Sequence, residues 1–223
     1  MAPAARIGRF SAPAPDGKGK TGSWYENCEN VWFSSPMNDP HRTTLKQYIK
    51  DMISVEYDIH KALSLQLDND EVKSHSILTE LLARAAGESK VRIQRLEALS
   101  EQEGAAFSVA VKGGITAVTG SFASLYGKIH EQALSRLVRD DIVALNFASV
   151  GYGMMFTLGL STGHEVCTLL ASHAVEEMPP LIVHLTDLLP VLVGEELAKD
   201  APLVNPEAVR IAGGLIRDAW RNT

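Results

Sequence analysis

Little in this chain of 223 residues offers ready-made chemistry. Cysteine occurs only twice, as Cys28 and Cys167. The first lies in a stretch broken by proline and glycine, the second in a helical pattern. A disulfide framework is therefore not expected, and a reducing cytoplasm fits. No basic block occurs: 21 Lys and Arg face 27 Asp and Glu, giving a net charge of −6. That balance lacks the electrostatic footprint of a nucleic-acid binder, so nucleic acid is not an expected partner. The opening Met-Ala-Pro-Ala-Ala-Arg has no apolar h-region and does not read as a signal peptide. Gly113-Gly114 and Gly151-x-Gly153 lack the Lys-Ser/Thr of a phosphate loop. There is no Gly-x-Ser-x-Gly elbow, no Cys-x-x-Cys and no His-Glu-x-x-His. Nor is there any Glu-x-x-His, the motif that two helices of a di-metal bundle supply.

What the chain does have is helical periodicity. Over residues 43–69, Leu45, Ile49, Met52, Glu56, Ile59, Leu63 and Gln66 recur at steps of four and three. This spacing lays one stripe along a helix. Thr43 or Thr44 is expected to cap it, and Asp68-Asn69-Asp70 to end it. The stripe is apolar except at Glu56, with His60 one turn further on and beside it. A second helix, from Asn69 or Asp70 to about Gly104, carries Leu81, Ala85, Glu88, Arg92, Leu96 and Leu99 on its period. The short connection predicts an antiparallel hairpin. Residues 105–127, rich in small side chains, read as one or two short helices, with a strand as the alternative.

From about Lys128 the helical pattern resumes. It leads through Asp140 and Asp141 into residues 142–163, which carry no charged side chain. This is the length of a bilayer span. Its glycines and Asn146, Ser149, Thr157 and Ser161 favour a buried central helix over a membrane segment. A break at Ser161-Thr162-Gly163 precedes an amphipathic helix from Glu165 to Glu177. Met178-Pro179-Pro180 is expected to interrupt it, and Pro190 to kink the apolar stretch that follows. Asn205-Pro206 predicts the start of a last helix. The fold class read from this pattern is all-α: a four-helix bundle with extra short helices, preceded by an N-terminal arm (residues 1–41) and closed by a C-terminal helix. The arm is expected to be partly disordered. Its aromatic cluster of Trp24, Tyr25, Trp32 and Phe33 is expected to dock on the domain or on a second subunit. The bundle domain spans 42–223.

Four segments carry a family resemblance. Leu45-Lys-Gln-Tyr-Ile-Lys-Asp-Met-Ile-Ser-Val-Glu-Tyr-Asp-Ile-His-Lys-Ala-Leu resembles the first helix of the YciE/YciF branch of the ferritin-like superfamily. Glu88-Ser-Lys-Val-Arg-Ile-Gln-Arg-Leu resembles its second, Val150-Gly-Tyr-Gly its third, and Glu176-Glu177 with His184-Leu-Thr-Asp-Leu its fourth. The likeness covers residues 43–197. It implies a ferritin-like bundle and a di-iron centre, but the ligand positions match poorly. The first-helix glutamate falls at His60, with Glu56 a turn earlier. The second helix's Glu-x-x-His falls at Gly87 and Lys90, beside Glu88. The third-helix glutamate falls near Ala148. The fourth helix keeps Glu176 and Glu177, but its downstream ligand falls near Pro180.

A lysine where a histidine is expected removes a lone pair and adds a positive charge. Lys90 is thus expected to neutralise Glu56 or Glu88 in place of a cation, with Arg92 and His60 as other partners. His173 and His184 read as core or boundary residues. The expectation is a ferritin-like protein that has lost its di-metal centre and serves as a binding or structural module, as a homodimer. It would need no cofactor and bind a protein partner or an apolar ligand along residues 142–160. The alternative is a metal-dependent oxidase or iron-handling protein, using iron or manganese at a rearranged site of Glu56, His60, Glu88 and Glu177.

Overall fold

The computed structural model describes residues 38–104 and 133–221. Among these the chain is all-α, with six helices and no strand: α1 (Asp39–Leu67), α2 (Asp70–Ser74), α3 (Ser76–Gln102), α4 (Leu134–Thr162), α5 (Glu165–Asp200) and α6 (Ala208–Arg221). Residues 1–37 and 105–132 lie outside the described part, and so do the expectations for the aromatic arm and for the short helices; the last residues assigned to the arm, Asp39, Pro40 and His41, already belong to α1.

The four long helices form a closed ring of neighbours: α1 on α3 and α4, α5 on α4 and α3. Side-chain pairings give their directions. Glu56 meets Arg92 while His60 meets Ala86, so α1 and α3 are antiparallel. Gln66 meets Asp141 while Glu56 meets Tyr152, so α1 and α4 are antiparallel too. Ser135 meets Glu196 at the start of α4, and Cys167 meets Met155 nearer its end. Consequently α3 and α4 run the same way, and the end of α3 and the start of α4 lie at opposite ends of the ring. The centre is filled by Ile49, Ile53, Leu82, Leu96, Leu145, Met155, Leu181 and Leu185, all essentially buried. This agrees with the stripe predicted for α1, in which Glu56 is buried along with its apolar neighbours.

Three differences from expectation have a clear physical reason; besides them, α4 begins at Leu134 and not near Lys128, and α6 begins at Ala208 and not at Pro206. α1 starts at Asp39, where the Asn38 side chain accepts from the His41 N–H at 3.0 Å. The Thr43 and Thr44 hydroxyls instead donate back to the carbonyls of Asp39 and Pro40, inside the helix. Asn-Asp-Pro is itself a start signal, an Asx cap with proline in the first turn. The second helix is broken after Ser74, and α3 is capped by His75, whose Nδ1 accepts from the Leu78 N–H at 3.2 Å.

The third difference is larger. α5 is one helix of 36 residues that runs through Pro179, Pro180 and Pro190. Each internal proline costs on the order of 3 kcal/mol in a helix that stands alone. Here Met178, Leu181, Ile182, Leu185, Leu188 and Leu192 are buried around them. At about 1.5–3 kcal/mol per buried side chain, that face outweighs the local penalty.

α4 departs from the expected buried central helix. By length and composition it is apolar enough to cross a membrane, and only 33% of its most apolar window is buried. One face packs inward through Ala144, Leu145, Ala148, Tyr152 and Met155, while Val143, Val150 and Met154 on the other are exposed. Its end is set by Gly163, whose φ of 65° is the left-handed cap conformation.

Candidate functional site

The buried Glu56 carboxylate is the centre of the ring. It lies mid-stripe on α1, and three side chains from two other helices point at it. Arg92 on α3 donates from Nε to Oε1 at 2.6 Å and approaches Oε2 with Nη2 at 3.4 Å. The Ser89 hydroxyl donates to Oε2 at 2.6 Å, and the Tyr152 hydroxyl on α4 to Oε1 at 2.9 Å. All four residues are fully buried. Ser89 sits three residues before Arg92, so both lie on one face of α3.

A second, looser layer surrounds the guanidinium. Its Nη1 lies 3.9 Å from Glu88 Oε2 and 3.9 Å from Glu177 Oε2. Glu88 is held from outside by Arg84, whose Nε donates to Oε1 at 2.7 Å. Glu56, Glu88 and Glu177 thus converge, and what they converge on is Arg92.

The electrostatics follow from the geometry. Burial by itself would lower the Arg92 pKa. The Glu56 charge and its hydrogen bond, with smaller contributions from Tyr152 and Glu88, more than offset this and hold the guanidinium above its ordinary value. Tyr152 is raised well above the usual phenol range, first by burial and then by the Glu56 carboxylate. It therefore stays a neutral donor. A buried carboxylate that accepts from a guanidinium, a serine and a tyrosine has its charge and most of its lone pairs answered by protein.

Of the four candidate ligands, three gather here and one does not. His60 turns its Nδ1 to the Ala86 carbonyl at 3.1 Å. Lys90 is exposed and does not hold the charge pair; Arg92, two positions on, does. His173 and His184 are exposed and not core residues. The donor set does not fit a metal: a permanent cation stands among the carboxylates. Among the described residues no group of three His, Cys, Asp or Glu side chains could hold one.

Ser89 and Tyr152 were not singled out by sequence reasoning. The available signal was Arg92 itself, a charge on the periodic face of α3, opposite in sign to the one on α1.

Cys167 is a buried thiol raised to about 12, mainly by burial, with its Sγ 3.5 Å from the Met155 carbonyl. Alkylation by iodoacetamide at pH 8 should leave Cys167 unmodified in the folded chain and modify it fully in urea, as read by peptide mass mapping. Rapid modification of the native protein would contradict the packing of α5 on α4. No protein-family model, curated protein or solved structure matches this chain.

Proposed function

We propose that this chain is a ferritin-like helical bundle whose centre is held by a buried charge pair, and that it acts as a binding or structural module and not as a metal enzyme. The observation that carries this reading is the full engagement of Glu56 by Arg92, Ser89 and Tyr152. A carboxylate so engaged has no exposure and few lone pairs left to ligate a metal, and the Tyr152 hydroxyl keeps its own proton in a hydrogen bond donated to Glu56. The connectivity supports the ferritin-like part. Two parallel helices, α3 and α4, joined from opposite ends are what one long crossover produces in such bundles.

Metal content after purification without chelator tests the proposal. Iron and manganese are expected far below one per chain, and incubation with either should leave the melting temperature unchanged. A ligand that binds only the folded state must raise it by mass action. Near-stoichiometric iron, or a marked rise in melting temperature with iron, would favour instead an oxidase or iron-handling site built from Glu56, Glu88 and Glu177.

A further inference from the structure

Two buried atoms of the central cluster have no hydrogen-bond partner among the described residues: Arg92 Nη1 and Glu88 Oε2. They face each other at 3.9 Å, and Glu177 Oε2 on α5 lies 3.9 Å from the same Nη1. That distance is too long for a direct hydrogen bond. The atoms are not free to close up, because each side chain is held from its other side. Arg92 Nε donates to Glu56 Oε1 at 2.6 Å, and Glu88 Oε1 accepts from Arg84 Nε at 2.7 Å. A buried donor or acceptor without a partner is costly, and polar contacts beyond about 3.5 Å are the ones that water bridges.

We infer that one ordered water molecule is bound at this point, accepting from Arg92 Nη1 and donating to Glu88 Oε2 and Glu177 Oε2. The hydrogen-bonding inventory selects it. A guanidinium only donates, and an ionised carboxylate only accepts. The bridging group must therefore accept once and donate twice through a single small atom. An ammonium group has no lone pair to offer the guanidinium. Chloride has no proton to offer the carboxylates, and a metal ion would stand against the guanidinium charge. An alcohol hydroxyl has one proton where two are needed. Water has two protons and two lone pairs, and about three polar partners is the usual number for a buried one.

This water gives Glu177 a role. Glu56, Ser89, Arg92 and Tyr152 join α1, α3 and α4, and Glu177 brings in α5. It is a positioning residue, acting on the charge pair through the water. Its side chain is 37% exposed, which gives solvent a route to the site. The inference rests on the reading of a centre without metal, and adds to it the link that fastens α5 to the buried pair.

A crystal structure of the full chain, purified without chelator and at a resolution that shows ordered water, tests it. One water is expected within about 3.2 Å of all three atoms. In solution, with isotope-labelled arginine, the hydrogens on Arg92 Nη1 should show a nuclear Overhauser effect to bound water. Glu177→Gln keeps an acceptor oxygen and should retain that signal. Glu177→Leu, at a partly exposed position, should keep the helical circular dichroism spectrum and lose it. A direct hydrogen bond from Nη1 to Glu88, Glu177 or any other side chain, with no water on that atom, overturns the inference and leaves the metal-free reading standing. Iron or manganese among the carboxylates overturns both. A Glu177→Leu protein with an unchanged Overhauser effect overturns the role given to Glu177.

Discussion

Arg92→Ala should melt far below the wild type, while Lys90→Ala should melt with it. Removing one partner of a buried pair leaves the other charge uncompensated, at a cost of about 3–5 kcal/mol. For a chain of this size each kcal/mol lowers the melting temperature by roughly 2–4 °C, so the expected drop is on the order of 10 °C. The Glu56 carboxylate left behind would keep Ser89 and Tyr152 as donors, which limits the loss without replacing the positive charge. Lys90 is exposed, and its truncation should stay within about 0.5 kcal/mol. Thermal melts followed by circular dichroism distinguish the two. Equal melting of both variants would mean that Arg92 does not hold the centre.

Gly159→Ala should be the second large effect, for a reason of space. A Cβ at Gly159 would lie 2.8 Å from the backbone nitrogen of Thr168 and 2.5 Å from its Oγ1. The hydroxyl can rotate away, but the backbone of α5 can move only if the two helices part. Overpacking of this kind costs roughly 1–3 kcal/mol. Gly87→Ala is the informative contrast. Nothing lies within 4 Å of an added Cβ there, so the change should follow helix propensity and stabilise α3 by up to about 1 kcal/mol. Urea melts of the two variants should move in opposite directions. If both stabilise, α4 and α5 are not in backbone contact at this point.

The contrast between Lys90 and Arg92 shows what can be read from a sequence and what cannot. The stripe of α1 was legible, Glu56 included, because a period of 3.6 is a local property. The periodic face of α3 was legible too, with Glu88 and Arg92 on it. Which of these meets Glu56 depends on how α3 slides and turns against α1. The family resemblance placed Lys90 in that role, yet two positions along a helix are about 200° of rotation, and Lys90 faces solvent. A charged residue on each of two facing apolar stripes, opposite in sign, was the local clue that needed no alignment.

The prolines of α5 show the opposite limit. Their local cost is real, and the buried face from Met178 to Leu192 is a tertiary quantity that no local rule contains. On α4, the absence of charge was legible, but the division into a buried and an exposed face was not, because both faces are apolar. The Asn38 start was legible by the same cap-and-proline rule that was applied to Asn205, whose Oδ1 accepts from the Glu207 N–H at 3.1 Å, although there a turn intervenes and the helix begins at Ala208.

A double-mutant cycle on Glu56 and Arg92 tests most directly whether these two residues, rather than a metal, hold the centre. Each single substitution, Glu56→Met and Arg92→Met, strands a buried charge and should cost about 3–5 kcal/mol, while the double variant replaces the pair by apolar side chains of similar length and should be more stable than either single. The expected coupling is several kcal/mol, measured by urea unfolding without chelator or added metal. Additive losses, with the double variant the least stable of the three, would contradict the account.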